Sequence, residues 1–134
     1  MNPALVIPAK KTLNKTLFER IGGKDAVNAA VDIFYEKVIA DPQLKPFFDG
    51  VDMARQRNKQ KAFLTYAFGG APIYSGKNMR EAHKRLVEKG MNSFHFDAVL
   101  SHLGNTLKEL SVPSELIREA TQIVKSIKKD VLNR

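Results

Sequence analysis

The side chains able to do chemistry in this chain are three histidines, a tyrosine, two closely spaced glutamines and a lysine between those glutamines. His83 shares a helical face with Met79, Ala82, Leu86 and Val87. A neutral imidazole in apolar surroundings can ligate a transition metal, because water and competing bases are kept away. The same placement also suits a core histidine satisfied by backbone. His95 stands between Phe94 and Phe96 at an expected helix start and reads as structural. His102, beside Leu103, reads as a surface or boundary residue. No H-x-x-x-H pair exists, so a multi-histidine zinc site is not indicated.

Gln56 and Gln60 fall one turn apart on the stripe formed by Met53, Phe63, Leu64 and Ala67. A buried amide without partners costs about 1–3 kcal/mol, so two glutamines on an apolar face need something polar to bond. Either they lie at the edge of the stripe and reach water, or they face a ligand. Tyr35 follows Phe34 and flanks the apolar face of its own helix. Its hydroxyl either reaches the surface or donates into a pocket.

These residues must be positioned by helices. Val27, Ala30, Val31, Phe34 and Val38 recur at three- and four-residue steps, predicting a helix over 24–39. The same periodicity predicts helices over 53–68, around His83 and over 94–110. A last helical segment carries Leu116 through Val131, with Pro113 suited to its first turn. A short helix over 13–21 precedes the pair Gly22-Gly23; Gly69-Gly70 and Gly90 end two further segments. Paired glycines permit sharp corners between helices. Pro72, Ser75, Gly76 and Asn78 mark a turn-rich stretch before the helix of His83. No alternating β-branched run competes, so the fold class is all-α.

The chain of 134 residues suits one domain. Residues 1–14 read as a flexible extension and 15–134 as the domain. There is no cysteine, which excludes disulfides, thiolate metal sites, a cysteine nucleophile and C-x-x-C-H haem attachment. No apolar run approaches the ~20 residues that span a bilayer. The apolar stretch Ala4–Ile7 precedes its lysines and fits a secretory signal poorly. A cytoplasmic location without membrane association is expected. The net charge of +8 could attract nucleic acid or an acidic partner. Its lysines and arginines are scattered, however, with no aromatic-interleaved stripe, and read as solubility charge rather than a nucleic-acid surface.

Several landmarks occur in order: L-F-E-R-I-G-G from Leu17, F-Y at Phe34-Tyr35, A-D-P-Q-L-K-P-F-F from Ala40, V-D-M-A-R-Q-R-N-K-Q from Val51, F-G-G from Phe68, M-R-E-A-H from Met79 and H-F-D-A-V from His95. Together they resemble the group I truncated haemoglobins, the 2-on-2 globins of cyanobacterial and algal type, over roughly 17–134. The resemblance implies two helix pairs sandwiching a haem. It makes His83 the proximal iron ligand and Phe48 the aromatic against the porphyrin. Tyr35, Gln56 and Gln60 match positions that donate hydrogen bonds to an iron-bound diatomic ligand. Phe63 and Met79 are carried with them as residues contacting the cofactor. Tyr74, Lys77 and Arg80 are implied propionate partners. Some members attach haem covalently through a C-terminal histidine; here Ile127 or a neighbour stands there, implying a dissociable haem b.

Lys59 occupies a distal position from which relatives contact the haem or ligate its iron. Only a neutral amine binds metal, and deprotonating an ordinary lysine at pH 7 costs roughly 4–5 kcal/mol. The alternatives are iron ligation and a charged Lys59 paired with a propionate.

The implied function is binding of O2, NO and CO at haem iron. NO dioxygenation, in which O2 and NO leave as nitrate and ferric iron is left to be re-reduced, is one implied reaction. It would need an external electron donor or reductase, since the chain has no room for a flavin domain. A monomer is expected. The alternative is a cofactor-free basic helical module for nucleic acid or an acidic partner, which leaves His83 and the glutamines unexplained.

Overall fold

The computed structural model describes residues 15–71 and 79–134. The expected N-terminal extension, the stretch around Gly76, Tyr74 and Lys77 lie outside the described residues.

Among the described residues seven α-helices follow in order: α1 (Leu17–Ile21), α2 (Gly23–Ala40), α3 (Met53–Ala67), α4 (Met79–Glu88), α5 (Ser93–Glu109), α6 (Ser114–Lys125) and α7 (Lys128–Val131). A 3-10 turn over Lys45–Phe48 lies between α2 and α3. Among the described residues there is no strand, and no helix is long and apolar enough to cross a membrane.

The core is organised on α2. Val27, Ala30, Val31, Phe34 and Val38 are all buried, as their spacing predicts. Fully burying a side chain of this kind contributes about 1.5–3 kcal/mol, so this stripe holds the bundle. Helix α2 packs on α3 and on α5, and α5 packs on α6. These are the two helix pairs of a 2-on-2 arrangement. Helix α4 stands apart from them and packs chiefly on α7.

Helix boundaries differ from those predicted at three places. The first helix begins at Leu17, not near Leu13, because Thr16 caps it. The Thr16 hydroxyl accepts from the Glu19 amide at 3.1 Å, and the Glu19 carboxylate accepts from the Thr16 amide at 3.3 Å. That reciprocal pair fixes where the helix starts. The last apolar segment is two helices, broken at Ser126-Ile127. The Ser126 hydroxyl donates to the Ile123 carbonyl at 2.5 Å, and such side-chain bonding competes with the helical ladder. Pro113 precedes the first turn of α6 as its N-cap instead of lying within it.

The glycine corners have specific causes. Gly22, at φ 131°, turns α1 into α2. At Gly70 a Cβ would lie 2.6–2.8 Å from the Phe18 ring, so only a glycine allows the contact. The Phe18 amide also donates to the Phe68 carbonyl at 2.8 Å, seating α1 on the end of α3.

Candidate haem site

Tyr35 is on the inner side of α2 and only 3% exposed. Its hydroxyl oxygen accepts a hydrogen bond from Gln56 Nε2 at 3.2 Å. Burial pushes the phenol pKa up to about 12, against smaller lowering effects from Gln56 and the charge of Arg57. Tyr35 is therefore a neutral donor at physiological pH. Its oxygen is engaged by Gln56, while its own proton remains available. Phe48, at the end of the 3-10 turn, packs edge-on to Tyr35 with ring centroids 5.9 Å apart, and Phe34 does so at 4.9 Å.

Helix α3 supplies the glutamines. Asp52 caps it by accepting from the Arg55 amide at 3.2 Å. Phe63 and Leu64 are buried, while Met53, Gln56 and Gln60 are half-buried. Gln60 has no hydrogen-bond partner among the described residues, so its amide is unspent on the same face as that of Gln56. Lys59 is exposed and makes no ion pair among the described residues, whereas Arg57 and Lys61 flank Asp32 at 3.9 and 3.5 Å.

Helix α4 supplies His83. Its Nδ1 lies 2.9 Å from the Met79 carbonyl oxygen. A carbonyl only accepts, so Nδ1 carries the proton and Nε2 carries the lone pair. Burial lowers the imidazole pKa, opposed in part by the bond to Met79, which favours the neutral ring that a metal needs. Nε2 has no partner among the described residues. Holding the second nitrogen by a backbone carbonyl is how ligating histidines are oriented. Met79, Leu86 and Val87 share the half-buried face with His83, whereas Ala82 is exposed.

These features fit a haem. An unspent Nε2 on a neutral, oriented imidazole suits iron, and no residue of α4 is fully buried despite its apolar face. Half-exposed Met79, Leu86, Val87, Phe48 and Met53 supply the apolar surface that a flat macrocycle would cover.

Arg80 has protein partners of its own, and His95 and His102 take the structural and boundary places expected of them. Arg80 makes a 3.1 Å ion pair with Asp130 and donates to the Arg134 carbonyl, so its guanidinium is already engaged by the C-terminal turn. His95 caps α5 by accepting from the Asn92 amide at 3.1 Å and packs on Phe47. His102 Nε2 meets Asp41 at 2.8 Å. This last pair was invisible in the sequence, because 61 residues separate its members and no local pattern joins them.

A family model described as bacterial-like globin matches residues 16–133. A group 1 truncated hemoglobin from Synechocystis is 56% identical over 122 residues, 89% of this chain and 98% of that protein. The chain belongs to the group 1 truncated haemoglobins. The globin's structural neighbours agree. The 2/2 hemoglobin of Synechococcus, solved in the cyanomet state with covalently attached heme, is 48% identical at a TM-score of 0.87, covering 90% of this chain and all of that one. The truncated hemoglobin of Tetrahymena pyriformis in its Fe(III) form is 44% identical at a TM-score of 0.82, covering 88% of this chain and 98% of that one. Solved variants of the Tetrahymena protein replace one tyrosine by phenylalanine and two glutamines by glutamate. Those three residues have the sequence spacing of Tyr35, Gln56 and Gln60.

Proposed function

We propose that this globin binds haem b non-covalently through His83 and presents Tyr35, Gln56 and Gln60 to O2, NO or CO. The observation that carries the reading is His83 itself: Nδ1–H is tied to Met79 and Nε2 is left unspent on a half-buried ring. A bound haem would supply an iron able to take diatomic ligands and to cycle between ferrous and ferric states. The protein's own contribution is directional. Gln56 donates to the Tyr35 oxygen, which orients the phenol so that its proton points elsewhere. Tyr35 and the free amide of Gln60 would then donate to negative charge developing on the ligand, in surroundings that exclude water.

Non-covalent attachment is supported by the histidine inventory. The segment 114–134 contains no histidine, and His95 and His102 are engaged as a helix cap and an aspartate partner. The redox reading is NO dioxygenation, with one electron per turnover supplied by an external reductase. Lys59 is proposed to reach either a propionate or the iron, and its exposed ammonium, unpaired among the described residues, is able to swing. Absorption spectra of the ferric, ferrous and CO-bound forms test the reading. A Soret band that persists unchanged in His83→Ala would overturn it.

A further inference from the structure

The helix carrying His83 packs chiefly on the segment Lys128–Arg134, with Met79 of its first turn also reaching the core. None of the residues of α4 is fully buried, and the element it packs on most is α7. The contacts converge on one residue, Arg80, three positions before His83. Asn133 Nδ2 donates to the Arg80 carbonyl at 3.1 Å. The Arg80 side chain pairs with Asp130 at 3.1 Å and donates to the Arg134 carbonyl. Asn133 adopts φ 58°, a left-handed conformation that asparagine tolerates and that ends α7.

The same segment is anchored on its other side. Lys128 meets Asp97 of α5 at 2.9 Å and lies over the Phe96 ring at 5.5 Å. Val131 and Leu132 are buried. The C-terminal turn is thus a bracket, fixed to α5 and gripping the first turn of α4. That first turn also contains Met79, whose carbonyl orients the His83 ring. The Arg80–Asp130 pair is exposed and on its own would hold little. Its effect is geometric, because three bonds to three different residues of the turn act together on Arg80.

We infer that Arg80, Asp130 and Asn133 are positioning residues for the imidazole of His83, setting the orientation in which it would meet iron. The inference rests on His83 being the proximal ligand. Its test is the double variant Asp130→Ala/Asn133→Gly, in which glycine keeps the left-handed backbone while removing the amide. In the haem-free protein, amide hydrogen exchange across 79–88 should accelerate roughly tenfold. In the ferrous haem-bound protein, the iron–histidine stretching band should shift or broaden, and haem loss should quicken roughly fivefold. Lys37→Met, which removes the Lys37–Glu109 pair between α2 and α5, should move neither reading. Exchange that stays at the wild-type rate overturns the bracket. Faster exchange with an unmoved iron–histidine band overturns the positioning role. A Lys59→Ala protein, in which no lysine can complete the iron's ligand set, that takes up haem without any iron–histidine band would sink the His83 assignment and this inference with it, while the haem-free exchange arm would still report separately on the bracket.

Discussion

Gln56 reaches across from α3 to α2 and gives its amide proton to the hydroxyl oxygen of Tyr35, 3.2 Å away. The bond decides which way the phenol can donate. An oxygen already accepting one hydrogen bond directs its own proton along a restricted set of angles. Two half-buried or buried polar side chains from separate helices are thereby locked into one donor unit.

Tyr35→Phe removes that donor while preserving the ring against Phe34 and Phe48. A hydrogen bond to a charged partner is worth about 1.5–3 kcal/mol, which corresponds to roughly 10–150-fold in a rate or equilibrium constant. Release of O2 from the ferrous protein should therefore accelerate by that order, measured by stopped-flow displacement with CO. CO itself, carrying less negative charge, should be released at a rate much closer to wild type.

His83→Gly should abolish the wild-type Soret spectrum, and added imidazole should restore a band at its position. The small ligand can enter the space of the lost ring, but it lacks the tether to Met79 that orients the native one. Restoration is expected to be partial. A variant that keeps the wild-type spectrum without imidazole would show that iron is held elsewhere.

Lys59→Ala separates two uses of one amine. If Lys59 reaches the iron, the ferric wild type contains a low-spin component that grows with pH, because only the neutral amine binds metal. Electronic absorption of the ferric variant should then lack that component across the same pH series. A spectrum identical to wild type at every pH would leave the propionate as the partner.

The helices were legible because their apolar residues recur with helical period, and α2 shows this best: every residue of its predicted stripe is buried. The start of α1 was missed at Leu13, although Thr16 and Glu19 stand at capping-box spacing ahead of an apolar run and carried the signal. The break at Ser126 was not readable, because the apolar period continues through it and the competing bond is made by one hydroxyl. Within the site, the polar residues on apolar faces were conspicuous, but their partners were not. Nothing local links Tyr35 to Gln56, or Arg80 to the C-terminal turn, whose contacts with it span 50 to 54 residues of sequence.

Gly70→Ala tests the corner between α3 and the stretch that follows it. The added Cβ would sit 2.6–2.8 Å from three atoms of the Phe18 ring. Phe18 is itself packed on the core, so the ring cannot simply swing away. Overpacking of this kind costs about 1–3 kcal/mol, read as a lowered midpoint in urea. Adding Phe18→Leu should recover part of the loss, giving a non-additive cycle between the two positions.

The Asp41–His102 pair gives stability a dependence on acid. Hydrogen bonding to His102 holds the Asp41 carboxyl below the usual range, helped by the Gln43 amide at 2.9 Å and opposed by partial burial. Because the folded state prefers the ionised carboxylate, the contribution is fully present above the unfolded pKa, about 3.9 for an ordinary aspartate. It is lost as pH falls through the lower folded value. Asp41→Asn removes the titration, so the variant should be less stable than wild type near neutral pH. The gap in thermal midpoint should narrow as pH drops below about 4. A gap that stays constant down to the acid-unfolding limit would mean that the carboxylate's charge contributes nothing to holding α2 against α5.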